Sequence, residues 1–290
     1  MKSFGEVLER FFDRIDYVQQ HRGEVIGVAT GFSDLDQLTA GFQPSDLIIV
    51  AGAKSTGKTS LALGMVYGAA IGHRKSVGIF SPEMSAEQLV QRILSKETGI
   101  DAYRLRLGQI NDNEWDRISR AFGRLNESPI YFYGTVTPTV PDIRSKAEAL
   151  KAEKGLELIV IDQLQSIGAS RRSSQLEERS EISRELKGLA RDLKMPVVVV
   201  SQISGEFERS ADPRPQLSDL RDSGSIDEEA DVVLFVYRED LFEKDSEKRG
   251  VAEIIVAKHR NGPVGTINLR FFDRTARFAD LELYPASASR

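Results

Sequence analysis

A run of small and hydroxyl-bearing residues follows the apolar segment 47–51 and has the spacing of a phosphate-binding loop. It matches the pattern Gly-x4-Gly-Lys-Ser/Thr. Glycine at the fixed positions lets the backbone turn so that successive amide groups surround phosphate oxygens. The sequence therefore predicts a site for a nucleoside triphosphate, formed by Gly52, Ala53, Lys54, Ser55, Thr56, Gly57, Lys58, Thr59 and Ser60.

Two side chains of this loop suit a triphosphate and its metal ion. Lys58 supplies a positive charge for the β- and γ-phosphates, and Thr59 supplies a hydroxyl ligand for Mg²⁺. The residues that follow continue as a helix, whose amino terminus carries a partial positive charge. ATP and Mg²⁺ are therefore the predicted cofactors. The alternative is an ordinary glycine-rich turn between a strand and a helix.

Three further polar residues, Glu83, Asp162 and Gln202, end or closely follow apolar runs. The carboxyl ends of parallel strands meet at one edge of a sheet, so we expect all three near the loop. Asp162 is predicted to support Mg²⁺, Glu83 to deprotonate the attacking water, and Gln202 to report the γ-phosphate. Alternatively, Asp162 is a turn or cap residue and Glu83 stabilises the amino terminus of the next helix.

Arginines lie in the two loops that follow the Asp162 and Gln202 strands. The first loop contains Arg171 and Arg172, and the second, residues 204–224, contains Arg209, Arg214 and Arg221. Loops that begin at the nucleotide edge and carry cations could couple hydrolysis to a charged polymer. Because each loop also carries acids, two solvated charged loops are the alternative.

The apolar runs that must position these residues alternate with helical segments. The runs are residues 47–51, 77–80, 158–161, 197–200 and 232–236. Nearly continuous apolar runs are typical of parallel strands buried on both faces, so the prediction is an α/β fold with helices covering a mostly parallel sheet. Residues 252–257 and 266–271 flank Asn261-Gly262, which predicts an antiparallel hairpin at the edge.

The first twenty residues have a different pattern. Apolar residues recur at helical spacing and predict one amphipathic helix: Phe4, Val7, Leu8, Phe11, Phe12, Ile15 and Val18. Ser3 and Glu6 fit a capping box at its start. This helix either packs on its own domain or docks on another copy, and the pattern alone leaves both open.

Composition excludes several classes of site and protein. The 290 residues include no cysteine, which excludes disulfides, cysteine-ligated zinc and thiol catalysis. The three histidines lie far apart, so a histidine metal cluster is not expected. A net charge of -5 is not that of a uniformly basic nucleic-acid coat. With no apolar stretch long enough to span a bilayer and no secretory signal, we expect a cytoplasmic protein without membrane contact.

Five sequence blocks point to one family. They are residues 31–36, 40–47, 80–84, 218–226 (Ser-Asp-Leu-Arg-Asp-Ser-Gly-Ser-Ile) and 258–263 (Lys-His-Arg-Asn-Gly-Pro). Together they strongly resemble the bacterial replicative DNA helicases of the DnaB family, over about residues 4–280. The resemblance implies a RecA-like P-loop ATPase core that works as a homohexameric ring. Such a ring hydrolyses ATP between subunits, translocates on single-stranded DNA in its central channel and unwinds duplex DNA at the replication fork, close to the nucleoid.

The resemblance also implies roles for individual residues. Lys58, Thr59, Glu83, Asp162 and Gln202 keep the roles given above. Lys258 and Arg260, at alternate positions after a strand, would reach the nucleotide of the neighbouring subunit and stabilise transition-state charge. The residues that would contact DNA are Arg171, Arg172, Arg209, Arg221, Asp222 and Gly224.

The resemblance implies a division of the chain as well. Residues 1–22 would be a linker helix, 23–30 a linker, 31–285 the motor domain and 286–290 a tail. The chain has no counterpart of the family's N-terminal helical domain, so we expect the primase contact to be lost, whereas a helicase loader remains a candidate partner. Three residues depart from the family pattern: Lys54, Gln163 and Gly205. Two rival classes share part of the pattern, a RecA-fold ATPase that does not unwind DNA and a non-catalytic module that retains a nucleotide pocket.

Overall fold

The computed structural model describes residues 3–21, 23–134, 137–168, 175–203, 206–210, 212–223, 226–243 and 245–281. In these ranges the strands are β1 (Leu47–Gly52), β2 (Val77–Phe80), β3 (Ile130–Tyr133), β4 (Leu158–Asp162), β5 (Val197–Gln202), β6 (Val232–Tyr237), β7 (Val251–His259), β8 (Gly265–Phe272) and β9 (Arg277–Asp280). The helices are α1 (Phe4–Gln20), α2 (Ser33–Thr39), α3 (Lys58–Tyr67), α4 (Ala86–Thr98), α5 (Ala102–Leu107), α6 (Asp112–Leu125), α7 (Val140–Lys154), α8 (Gln175–Leu193) and α9 (Ile226–Glu229).

All nine of these strands form one sheet in the order β3-β2-β4-β5-β1-β6-β7-β8-β9. Neighbours from β3 to β6 pair in parallel, and β6, β7, β8 and β9 pair antiparallel. The predicted RecA-like α/β fold and the β7–β8 hairpin are therefore confirmed. The hairpin belongs to the antiparallel edge of the sheet, β6–β9, in which β9 pairs with β8 as the last strand.

The central strands are buried because each contributes to two apolar cores. In β1, Ile48 and Val50 join a core with α3 and α4, whereas Leu47, Ile49 and Ala51 join a core with α7 and α8. Successive strand residues point to opposite faces, so a continuous apolar run supplies both cores at once. This packing fixes the carboxyl ends of the parallel strands at one edge of the sheet.

Helix α1 is the least packed element of the described chain. Ser3 and Glu6 form the predicted capping box, and no residue of α1 is buried. Arg14 of this helix donates a 3.0 Å hydrogen bond to the side chain of Gln43 in the sheet domain. In the described structure α1 thus makes little contact with its own domain, and where its apolar stripe docks stays a prediction.

The segment after α1 is partly joined to the sheet domain. Val28 forms an antiparallel bridge with Phe42, and residues 28–30 are buried. The division at residues 22, 30 and 285 stays a prediction. No described helix is both long and apolar enough to span a membrane.

Candidate nucleotide-binding site

The phosphate-binding pattern lies between the end of β1 and the start of α3. Gly57 has a φ of 102°, which favours glycine, and a Cβ there would lie 2.9 Å from Phe278 on β9. A Cβ on Gly52 would lie 2.7 Å from the carbonyl oxygen of Val236 on β6. Both glycines are therefore required by the backbone turn and by the strands that enclose it.

Lys58 is buried at the start of α3. Its amine donates a 2.7 Å hydrogen bond to the carbonyl oxygen of Ala53, within the same loop. Burial lowers the pKa of Lys58 to about 8, although the nearby carboxylates of Asp162 and Glu83 oppose this shift. The site therefore disfavours the charged amine relative to water, and added negative charge, such as that of a phosphate, would raise the pKa again.

Thr59 and Asp162 meet across the sheet edge. The hydroxyl of Thr59 donates to a carboxylate oxygen of Asp162 at 3.1 Å. Burial raises the pKa of Asp162, and the Thr59 hydrogen bond partly offsets this. Mg²⁺ takes oxygen ligands and usually only one or two from protein in phosphate sites, so this pair fits the ion. The described residues contain no larger group of carboxylates and histidines that could hold a metal without the phosphates.

Glu83 lies on the segment between β2 and α4, and its side chain is exposed. Its Oε1 accepts hydrogen bonds from the amide of Gln163 and, at 3.1 Å, from the hydroxyl of Ser166. The amino terminus of α4 is instead capped by Ser85 and Gln88. The carboxylate of Glu83 thus faces the end of β4, where Asp162 lies, and helix capping is left to other residues.

Gln202 ends β5 directly beside the loop. It pairs in register with Gly52, and the next amide, that of Ile203, donates to the Gly52 carbonyl at 3.1 Å. The structure therefore brings Lys58, Thr59, Glu83, Asp162 and Gln202 to one edge of the sheet. Their catalytic roles stay predictions.

Lys258 and Arg260 lie at the opposite edge. His259 pairs with Val232 at the start of β6, and Val232 pairs with Ile48 at the start of β1. From Ile48 to Gly52 the strand rises four residues, at roughly 3.3 Å each, so about 13 Å of β1 separates this edge from the start of the phosphate loop. Lys258 lies within β7 rather than after a strand as expected.

The two cations are held by carbonyl groups of α9 and by Asp231, just before β6. The Lys258 amine donates to the carbonyl of Asp227 at 2.6 Å, and burial lowers its pKa, with Arg260 adding to the effect. The Arg260 guanidinium donates to the carbonyl of Glu228 at 2.5 Å and lies 3.7 Å from Asp231. In this arrangement neither cation reaches the phosphate loop of its own subunit.

The predicted DNA-contacting residues fall only partly within the described ranges. Arg171, Arg172 and Gly224 lie outside the described residues, as does the departure Gly205. Arg209, Arg221 and Asp222 lie on 3₁₀ turns, Glu206–Arg209 and Leu217–Ser223, of which the backbone is described. The segment 204–224 is therefore not a wholly irregular loop as expected.

Arg214 ties this segment to the sheet. Its guanidinium donates to both carboxylate oxygens of Glu253 on β7, at 2.7 and 2.9 Å, and lies 4.8 Å from the ring centre of Tyr237. A bidentate, stacked arginine is a strong anchor. Arg214 therefore fixes the position of the segment.

Sequence reasoning missed four residues that shape the site: Gln163, Gln165, Ser166 and Phe278. Gln163 stood out as a departure without an interpretation, and the structure shows it bonded to Glu83. The sequence pattern that could have indicated these contacts is the three polar residues after Asp162: Gln163, Gln165 and Ser166. Phe278 packs on Gly57 and Phe271. The contact with Gly57 joins distant parts of the chain, so no local sequence pattern predicts it.

Comparison with known proteins places the chain among helicase domains. Residues 27–280 match the family model of the DnaB-like helicase C-terminal domain. The chain is 47% identical over 283 residues to a protein named replicative DNA helicase DnaB from Geobacillus stearothermophilus, covering 97% of the chain and 62% of that relative. It thus spans about three fifths of the length of the curated relatives it matches.

Two solved structures are also similar. One, described as the ATPase domain of another protein, superposes with a TM-score of 0.92 at 32% identity, covering 97% of this chain and 99% of that one. A DnaB-like replicative helicase, described together with its interactions with primase, superposes with a TM-score of 0.88 at 32% identity, covering 97% of this chain and 67% of that one.

Proposed function

Because the chain belongs to the DnaB-like helicase C-terminal domain family, we propose that it is the motor domain of an ATP-dependent replicative DNA helicase. It hydrolyses ATP between the subunits of a homohexameric ring, translocates on single-stranded DNA and unwinds duplex DNA at the bacterial replication fork. The site geometry, the family membership and the two similar structures support this proposal. The position of Arg260 is the single observation that carries it.

The proposed chemistry uses the residues at the carboxyl edge of the sheet. Lys58 and the loop amides bind the phosphates, and Thr59 and Asp162 hold Mg²⁺, which neutralises charge on the phosphate oxygens when bound. Glu83 accepts the proton of the attacking water. Gln202 contacts the γ-phosphate at the end of β5. Apart from Lys58, which lies within the loop, none of these residues supplies a cation for the transferring phosphoryl group.

Arg260 supplies that cation in trans. It lies at the far end of β1 from the loop of its own subunit, about 13 Å away by the strand length given above. If subunits pack with the amino edge of one sheet against the carboxyl edge of the next, Lys258 and Arg260 complete the neighbour's site. An arginine supplied this way contributes roughly 10³ to 10⁵ in rate, so the isolated subunit is a poor ATPase.

Two exposed apolar surfaces support the assembly. One is α1, on which Phe11 is 58% and Phe12 62% exposed. The other lies on α4 to α6, where Trp115 is 56% and Phe122 66% exposed. Phe122 also lines a cavity of about 300 Å³. We place α1 of one subunit on the α4–α6 surface of the next. Clusters of exposed apolar side chains favour burial in an assembly.

DNA is proposed to bind in the central channel through the six residues named above. Charges of both signs among them favour contacts to the backbone of single-stranded DNA over base reading. The activity belongs in the bacterial cytoplasm. A loader and a primase are candidate partners of the whole protein.

Mixing two inactive variants tests the proposal. Glu83→Gln inactivates the site on its own subunit, and Arg260→Ala inactivates the site of the neighbour. When the two are mixed and reassembled, about a quarter of the interfaces combine an intact Glu83 with an intact Arg260. Steady-state ATP hydrolysis should therefore reappear in the mixture but not in either variant alone.

The matched control is Glu83→Gln mixed with a double variant that carries both changes on one chain. No interface in that mixture is complete, so it should stay inactive. Absence of recovery in the first mixture, with both variants still assembling, would overturn the trans arrangement.

A further inference from the structure

One short turn carries three polar side chains that the proposed chemistry leaves unused. We call residues 163–166 the bridging turn; it consists of Gln163 and the 3₁₀ turn Leu164–Ser166, directly after Asp162. Gln163 and Ser166 donate to the same oxygen of Glu83, Oε1, the latter at 3.1 Å. The turn therefore contacts the proposed general base from the side of β4.

Gln165 holds the turn on its other side. Its amide nitrogen donates to the carbonyl oxygen of Gln202 at 2.9 Å and to the hydroxyl of Ser201 at 3.2 Å. Its amide oxygen accepts from the Gln202 backbone amide at 3.3 Å. The bridging turn thus links the general base to the end of β5, the strand that carries the residue proposed to contact the γ-phosphate.

These contacts address a geometric requirement of the reaction. A general base must lie within hydrogen-bond reach of the water it deprotonates, and a displacement of about 1 Å can cost a large factor in rate. Glu83 is exposed on a connecting segment, so its own surroundings do not fix it. Two donors that converge on Oε1 fix the rotation of the carboxylate and direct its other oxygen towards the water.

The position of the turn in the chain suggests what controls it. After the turn the chain continues within a few residues to Arg171 and Arg172, and after β5 it continues into the segment 204–224. Both stretches contain the residues proposed to contact DNA. The bridging turn is therefore the element through which both stretches connect to Glu83.

We propose that Gln163 and Ser166 are positioning residues for Glu83 and that the bridging turn transmits DNA binding to the general base. DNA held by either stretch restrains the turn, the turn restrains the carboxylate, and hydrolysis accelerates. The inference rests on the proposed function, because it needs Glu83 to act as the base and DNA to bind these stretches. It goes beyond that function by assigning the route of DNA stimulation.

Ser166→Ala tests the inference, with steady-state ATP hydrolysis measured with and without a saturating oligo-dT strand. We expect the DNA-stimulated kcat to fall by about tenfold and the DNA-free kcat by much less, so that stimulation is largely lost. The KM for ATP and the affinity for oligo-dT should stay unchanged. Ser166→Thr keeps the hydroxyl and should restore stimulation.

Gln165→Ala provides a second variant that does not touch Glu83. It cuts the link to β5 and should also reduce stimulation more than the DNA-free rate. Gln37→Ala is the matched control, because Gln37 is exposed on α2 and outside the site. It should leave both rates unchanged.

Glu83→Gln separates failure of the inference from failure of the proposed function. If Glu83→Gln abolishes both rates but Ser166→Ala and Gln165→Ala keep the full stimulation ratio, only the inference is overturned. An equal loss of both rates in Ser166→Ala would assign the turn a purely structural role and would also overturn it. If Glu83→Gln keeps both rates, the proposed general base is wrong.

Discussion

In the protein without nucleotide, burial makes the charged amine of Lys58 less favourable than it is in water. The amine is buried against the Ala53 carbonyl, and its pKa is lowered to about 8. Phosphate groups reverse this balance because they add negative charge beside the amine. Nucleotide binding should therefore draw a proton onto Lys58 whenever the pH is above its pKa in the free protein.

We expect the affinity for ATP in magnesium-free buffer to weaken as the pH rises above about 8. Below that pH the amine is charged before ATP arrives; above it, binding must be coupled to proton uptake, at a cost of up to tenfold in Kd for each pH unit. Fluorescence anisotropy of a labelled nucleotide measures this. Lys58→Arg is the control, because a guanidinium stays charged and its profile should be flat. A wild-type profile equally flat would contradict the expectation.

The residues of the phosphate loop could be predicted because one contiguous strand, loop and helix contains them all. Glu83, Asp162 and Gln202 could be placed near the loop because each marks the carboxyl end of a strand. The contacts of Gln163 and Ser166 could not be predicted. They depend on β2 and β4 being neighbours in the sheet. The contacting residues are 80 or more positions apart in the sequence.

Among the elements, α1 has the clearest consequence for assembly. Its apolar stripe is exposed within one subunit and is proposed to be buried on the next. Phe11→Ser combined with Phe12→Ser should shift the protein from rings towards monomers. Burial of each phenylalanine contributes about 1.5 to 3 kcal/mol, so the pair weakens each interface by at least about a hundredfold.

Size-exclusion chromatography with light scattering measures that shift. Asp13→Ser, a change on the same helix outside the apolar stripe, should leave the assembly intact. An unchanged mass for the double variant would show that α1 does not hold the subunits together.

The sequence pattern located the central strands better than the edge strands. The continuous apolar runs of β1, β2, β4, β5 and β6 require burial on both faces, which predicts them directly. Strands β3 and β9 have four residues each and are largely half-buried, so they lack such a run. Both become strands because a neighbour offers unpaired backbone groups.

For the whole molecule, the separation of the two functional edges predicts a concentration-dependent enzyme. A lone subunit would have a phosphate loop without the Arg260 of a neighbour, and dilution should therefore lower the rate of ATP hydrolysis per subunit. Measured over a dilution series, that rate should rise with protein concentration and level off where rings are complete. Single-stranded DNA should raise the plateau.

Arg260→Ala is the comparison in the same series, and its rate should stay low at every concentration. A rate per subunit that is independent of concentration, of DNA and of this substitution would leave a self-contained ATPase. That outcome would favour the rival RecA-fold class.

The phosphate loop and Arg260 lie at opposite edges of one sheet, so the two sides of each subunit are different. In the proposed ring the carboxyl edge of each sheet meets the amino edge of the next, so the subunits follow one another head to tail. In a closed ring every phosphate loop would then lie beside the Arg260 of a neighbouring subunit. A ring that opens to admit a strand of DNA carries, at the gap, one pocket that lacks its arginine and one arginine that lacks its pocket. If the trans arrangement holds, loading would inactivate one site, and closure would restore it.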